Sequence, residues 1–270
     1  MNKISFKVLL ALAVLFSYCH KNAITGRRGL NLISENEMMT MSFTEYDKFL
    51  AEHKPLPAEN SNVILVRKVG SRIQKSVEKY YADKGLSKQL EGFQWTFNVV
   101  QDDQINAWCM PGGKVVVYTG LLPVTKDEQS LAIVMGHEIA HAIARHGNER
   151  MSSALLVQLG GAALSVALQT KPQLTHDIFM QSFGLTSTLG MLAYGRSHES
   201  EADHMGIIFA AMAGYNPRVA IEFWERMSAS GGAKPPEILS THPSDQTRIN
   251  DLKGFMKDAL PYYEASQKQN

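Results

Sequence analysis

The sequence predicts an α+β protein, mainly α-helical, with a small β-sheet packed beside one buried helix. Three observations lead there. Apolar residues recur at helical spacing through long stretches of the 270 residues. The period changes in the middle, where Phe93 to Val100 alternates and Lys114 to Thr119 is rich in Val and Tyr, as strands are. Directly after these strands comes an apolar, helix-forming stretch whose few polar side chains include His137, Glu138 and His141. A net charge of +1 with 44% hydrophobic residues describes an ordinary globular chain. Lys and Arg are dispersed and matched by acids, so no basic face is present for phosphate and no nucleic-acid partner is expected.

Taken in order, residues 1–18 read as a signal peptide. Lys3 and Lys7 precede an apolar run from Val8 to Phe16, which is shorter than the roughly 20 residues a membrane span needs. Cys19 follows it and resembles the lipid-modified cysteine of bacterial lipoproteins, although Tyr18 stands where a small residue is usual. The expectation is an exported, periplasmic protein held at the membrane through a lipidated Cys19. Cys109 is then the one remaining thiol and makes no internal disulfide; it reads as a small buried residue. Residues 19–33, with Gly26, Arg27, Arg28 and Gly29 among few apolar anchors, read as a lipid-anchored tether, and residues 34–270 as the catalytic domain.

Within that domain, Ser34 is a plausible N-cap, with Glu35 and Glu37 in the first turn of a helix running to about His53. Ile64, Leu65, Val69, Ile73 and Val77 mark a second helix from Asn62 to Tyr81. Pro111, Gly112 and Gly113 break the chain between the strand-like segments. From Asp127 a helix rises through Leu131, Val134 and Met135 into His137 and is expected to stop near Gly147. Two apolar stretches, 154–169 and 178–192, read as helices joined by a mobile loop around Thr170 to Asp177 that covers the cleft. Gln158, Gly160, Gly161 and Ser165 interrupt the first, and both fall short of a span, which disfavours a membrane hairpin over 154–192. A helix over Ser197 to Ala213 is punctuated by Gly214, Tyr215, Asn216 and Pro217, which start another.

His137, Glu138, Ile139, Ala140 and His141 form an HExxH sequence. Two histidines four apart share a helix face and can reach one metal ion, while Glu138 sits about 100° round, placed to deprotonate a water beside that metal. A hydrolytic zinc site needs a third protein ligand from another element. The segment His198 to Asp203 offers two glutamates, Glu199 and Glu201. Asp203 lies four residues after Glu199 and shares its face, whereas Glu201 points about 200° away. With Glu199 as ligand, Asp203 can accept a hydrogen bond from the free nitrogen of a ligand histidine and fix its tautomer, and Glu201 becomes a solvated surface acid. Of the other histidines, His146 leaves the face of His141 and reads as capping or packing. His198 and His204 are not four residues from Glu199, and His20, His53 and His176 fall in tether, surface or loop.

At these residues the chain resembles the zinc metalloendopeptidase family of the CAAX prenyl protease, the mitochondrial inner-membrane protease Oma and the bacterial outer-membrane-assembly peptidase BepA. The resemblance runs over the Asn22 to Arg27 segment, Asn106-Ala107 with Pro111-Gly112-Gly113, the Gly136 to His141 helix, Glu199 to Asp203, and Thr241-His242-Pro243. It implies a gluzincin-type zincin fold, one Zn2+ per subunit bound by His137, His141 and Glu199, Glu138 as general base and Asp203 as the residue behind the ligands. It also implies that His242 approaches the zinc from the far side of the cleft, either gating it or stabilising the oxyanion. The helical repeat domain that BepA carries is expected to be missing here. The implied activity is hydrolysis of protein or peptide substrates among unfolded or misassembled envelope proteins, with Lys114 to Thr119 as an edge to which an extended substrate adds. The rival reading is a chaperone-like, client-binding factor for outer-membrane assembly with little proteolysis; the intact Glu138 argues against it.

Overall fold

The computed structural model describes residues 19–159, 172–183, 195–229 and 246–268. Two short strands, β1 (Cys19–Lys21) and β2 (Arg28–Leu30), open the chain as an antiparallel hairpin in which Cys19 faces Leu30. Helix α1 (Glu35–Glu52) starts on a capping box: the Glu37 N–H donates to Ser34 Oγ, and the Ser34 N–H donates back to Glu37 Oε2. Helix α2 (Ser61–Asp83) turns Val63, Val66, Val69, Ile73 and Val77 into the core; Val69, Ile73 and Val77 belong to the expected stripe, whereas Ile64 is exposed and Val63 and Val66 take the buried places in the first turn.

Three strands follow, β3 (Thr96–Val100), β4 (Ala107–Met110) and β5 (Lys114–Tyr118), in the order β3-β5-β4. β3 runs parallel to β5, and β4 returns antiparallel through the Pro111-Gly112-Gly113 turn, where both glycines take φ near +80°. This corrects the expected substrate edge. β5 is buried along its whole length between two partners, so Lys114 to Thr119 offers no free hydrogen-bonding edge. Among the described residues the free edge belongs to β4, because the far side of β3 is bridged by Pro55 and Leu56.

Helix α3 (Glu128–Ile143) carries the HExxH residues. Asp127 caps it by accepting from the Ser130 N–H at 2.7 Å, and every residue from Ser130 to Ile143 is buried. A helix that is apolar on all sides belongs inside a protein, and α3 packs against α2, β4 and a later helix, α6 (Arg196–Met212). The closest approach is backbone to backbone. A Cβ on Gly136 would lie 2.6 Å from Gly206 O, and one on Gly206 would lie 2.8 Å from the His137 N, so two glycines let α3 and α6 touch.

The expected stop of α3 at Gly147 is also corrected. The chain breaks at Arg145, which takes φ +63°, and a new helix α4 (His146–Leu159) begins at once with Gly147 inside it. Helix α5 (Pro172–Ser182) occupies most of the stretch expected as a mobile loop and packs Ile178 and Phe179 against Met38, Met151 and Leu155. Helices α7 (Val219–Ala229) and α8 (Gln246–Gln267) complete the fold, with α8 lying along α6. The expectations for 160–171 and 184–194 lie outside the described residues, as does His242. Among the described residues no helix is long and apolar enough to cross a membrane.

Residues 19–33 are folded where a tether was expected. Asn22, Leu32 and Ile33 are buried, the Leu32 N–H donates to Ser152 Oγ at 2.9 Å, and Asn148 Nδ2 donates to the Ile33 carbonyl at 2.7 Å. Gly29 sits so close to Glu149 that a Cβ there would collide with its carboxylate.

Candidate metal centre

Three donor atoms converge between α3 and α6. His137 Nε2 and His141 Nε2 are 3.0 Å apart, and the Glu199 carboxylate places Oε2 3.4 Å from the first and Oε1 3.4 Å from the second. Metal–donor bonds of about 2.0–2.1 Å at tetrahedral angles require donors about 3.3 Å apart, and these separations are close to that spacing. All three side chains are nearly inaccessible, at 2%, 2% and 4%. Two imidazoles and a carboxylate meeting in an apolar interior make poor sense as packing, since buried polar groups are costly unless they bind something. The donor set therefore fits a divalent ion, and two nitrogens with one oxygen suit zinc. Glu138, also buried, neighbours His137 on the same helix.

Asp203 stands behind His137, as its spacing from Glu199 predicts. Its Oδ1 is 2.9 Å from His137 Nδ1, so the imidazole proton belongs on Nδ1 and Nε2 is left for a metal. Sequence reasoning missed the partner that completes this arrangement. Arg248, near the start of α8, is buried; it donates to Asp203 through Nε at 2.5 Å and through a terminal nitrogen at 2.8 Å, and to Glu199 at 3.0 Å. Its guanidinium lies 3.7 Å over the ring of Trp224 on α7.

Two carboxylates and one guanidinium set the local field. Burial would raise the Asp203 carboxyl, but the Arg248 charge and the His137 hydrogen bond outweigh it and hold the group below its ordinary range. At His137, burial and Arg248 push the ring down, whereas Asp203 and Glu199 win and lift it to about 9. His141 goes the other way, because burial dominates and keeps it neutral. Around His137 the two carboxylates thus outweigh the Arg248 charge.

Glu201 corrects an expectation. It does point away from Glu199, yet it is buried, at 5% exposure, because the N-terminal hairpin covers that face of α6. His146 Nε2 lies 2.9 Å from its Oε2, and Thr25 and Arg27 both donate to the same carboxylate in very short hydrogen bonds. Arg27 also forks onto Glu149 at 2.5 and 2.9 Å. His198 pairs with Glu149 at 3.1 Å and stacks on His146. His204 pairs with Asp258, and His176, on α5, with Glu45. The available signal for the first group was Arg27 in the Asn22 to Arg27 segment, whose single charge meets a buried acid on α6, Glu201, and a half-buried one on α4, Glu149. A shallow pocket beside β4 is lined by Cys109, Pro111, Met38, Glu35, Phe183 and, from the centre, His141.

A mainly helical fold with a small sheet beside a buried HExxH helix, and a carboxylate delivered from a second helix, defines a metalloendopeptidase. The comparisons with known proteins agree. Residues 68–256 match the profile of Peptidase family M48, and the chain belongs to that family. It is 32% identical over 255 residues to the Mitochondrial metalloendopeptidase OMA1 of Schizosaccharomyces pombe, across 93% of this chain and 70% of that protein. The human Metalloendopeptidase OMA1, mitochondrial, is 30% identical over 261 residues, across 93% of this chain and 48% of its own. The Beta-barrel assembly-enhancing protease of Escherichia coli is 32% identical over 176 residues, across 61% of this chain and 35% of that protein.

Proposed function

We propose that the protein is a zinc-dependent endopeptidase that hydrolyses peptide bonds of unfolded or misassembled envelope proteins. The observation that carries this reading is the convergence of His137, His141 and Glu199 to within 3.4 Å, with Glu138 beside them. These three residues would hold Zn2+, which when bound polarises a scissile carbonyl and makes a water acidic. Glu138 takes the proton of the attacking water and delivers it to the departing amine. Asp203, backed by Arg248, keeps the His137 proton on Nδ1 and so keeps Nε2 free to bind. Six residues before Arg248 in the chain, His242 is the proposed gate or oxyanion donor.

The substrate is proposed to add as an extended strand along β4. That edge borders the pocket that His141 helps to line, and main-chain pairing reads backbone more than side chain, which suits unfolded clients. The names of two relatives, a β-barrel assembly-enhancing protease and a mitochondrial metalloendopeptidase, fit a role in protein quality control. A lipid on Cys19 would anchor the first residue of β1, and with it a hairpin docked on the domain, close to the bilayer.

The test is mass spectrometry of the products formed from an unfolded outer-membrane protein by the purified full chain. Wild type should yield discrete fragments, and Glu138→Gln should lose about 10²–10⁴-fold in rate while still binding zinc. Identical products from both proteins would overturn the peptidase reading. Full biological activity in Glu138→Gln would favour the chaperone-like alternative.

A further inference from the structure

His146 lies five residues after His141, which in an unbroken helix would put the two rings about 140° apart. The left-handed turn at Arg145 ends α3 and starts α4, and in doing so brings His146 Nδ1 to 2.9 Å from His141 Nδ1. A non-glycine residue is disfavoured at positive φ, so this contact is made against the preference of the backbone. His146 is fully buried, with its face stacked 4.4 Å from the His198 ring, and it has little freedom to turn.

The protons in this chain of contacts can be placed. A neutral imidazole carries one N–H. On the metallopeptidase reading above, on which this argument rests, His141 turns Nε2 toward His137 and Glu199, so its proton sits on Nδ1 and is donated to His146 Nδ1. His146 Nδ1 must then be the acceptor, which leaves the His146 proton on Nε2, 2.9 Å from Glu201 Oε2. The opposite tautomer of His146 would set two N–H groups against each other and a lone pair against a carboxylate. The position of Glu201 therefore decides the tautomer. Thr25 donates to its Oε1 and Arg27 to its Oε2, both from the hairpin loop. That loop is itself fixed: Asn22 Oδ1 accepts from the Ile24 and Thr25 N–H groups at 2.9 and 3.2 Å, and Gly26 takes φ +72°.

We propose that Thr25 and Arg27 of the N-terminal hairpin are positioning residues for the metal centre, acting through Glu201 and His146 on the ligand His141. His141 is then oriented as His137 is by Asp203, but through one more imidazole and from a segment that precedes the rest of the domain. The neighbouring set His146, Glu149 and His198 also falls within the spacing of a metal site. The Arg27 guanidinium forked onto Glu149 supplies the positive charge there and assigns the set to this relay.

The experiment uses the full chain carrying Glu138→Gln, so that nothing depends on turnover. Long-range 1H–15N spectra of the zinc-loaded protein should show His146 protonated on Nε2 and His141 on Nδ1; His146 protonated on Nδ1 would overturn the proposal without any further variant. Chelator competition should show zinc held about tenfold to a hundredfold more weakly in Arg27→Gln and Thr25→Val, with affinity restored in Thr25→Ser. Zinc affinity within twofold of the parent in both weakened variants would also overturn it. A protein with the stated tautomers that cuts no substrate when Glu138 is intact would instead sink the proposed function and leave the relay standing.

Discussion

Asp203 joins a histidine on α3 and an arginine on α8 to its own helix α6. Removing it takes from the buried Arg248 one of its two carboxylate partners, leaving Glu199, and frees the His137 ring. Breaking a buried pair from one side costs about 3–5 kcal/mol, so Asp203→Ala is expected to lower unfolding stability by that order in urea and to weaken zinc by about tenfold or more. A loss below about 1 kcal/mol would contradict the pairing described. Asp203 was legible in the sequence because a four-residue spacing is a statement about one helix. Arg248 was not, because it comes 45 positions later on a helix with no motif of its own. Glu201 shows a related limit. Helical geometry gives the direction of a side chain but not what covers it, and here the cover is the hairpin.

Elements meet at Gly136 and Gly206, and the proposed metal centre depends on that crossing. A Cβ at Gly206 would stand 2.8 Å from the His137 N and 2.9 Å from its Cα, and backbone cannot swing aside as a side chain can. Gly206→Ala is thus expected to push α6 from α3, withdrawing Glu199 from the histidines. Overpacking of this kind costs about 1–3 kcal/mol, and zinc retention in chelator competition should fall with it; unchanged retention would show that the crossing has slack. Most helices were readable from their stripes and caps, with bounds close to those found for α1, α2 and α6. β4 was not, since four residues with a cysteine and a methionine carry too little alternation, and without β4 the central strand β5 passed for an edge. The break at Arg145 was likewise hidden, because the local sequence offers Gly147 as the obvious stop and tertiary contacts place the turn two residues earlier.

Across the whole molecule, the hairpin is held by charge as well as by packing. Burial raises the Glu149 carboxyl, but hydrogen bonds from His198 and Arg27 and the Arg27 charge prevail and bring it down to about 2, from an ordinary value of 4.5. A carboxyl depressed in the folded state stabilises above its unfolded pKa and loses that contribution as pH falls through its folded pKa. The protein should therefore lose stability between about pH 5 and pH 2, and Glu149→Gln should flatten that part of the profile, read as Tm against pH. A variant with the parental slope would remove Glu149 from the account. The same docking explains why residues 19–33 were misread. Few apolar side chains and two glycines describe a linker, while the burial of Leu32 and Ile33 and the pairing of Arg27 depend on partners more than 100 residues away.

All of these scales lead to one small volume between α3 and α6. Anomalous diffraction at the zinc edge, from crystals of the protein loaded with zinc, locates the ion directly. One peak is expected, about 2.0–2.2 Å from His137 Nε2, His141 Nε2 and a Glu199 oxygen. A strong peak at His146, Glu149 and His198 with none at the first three would contradict the assignment.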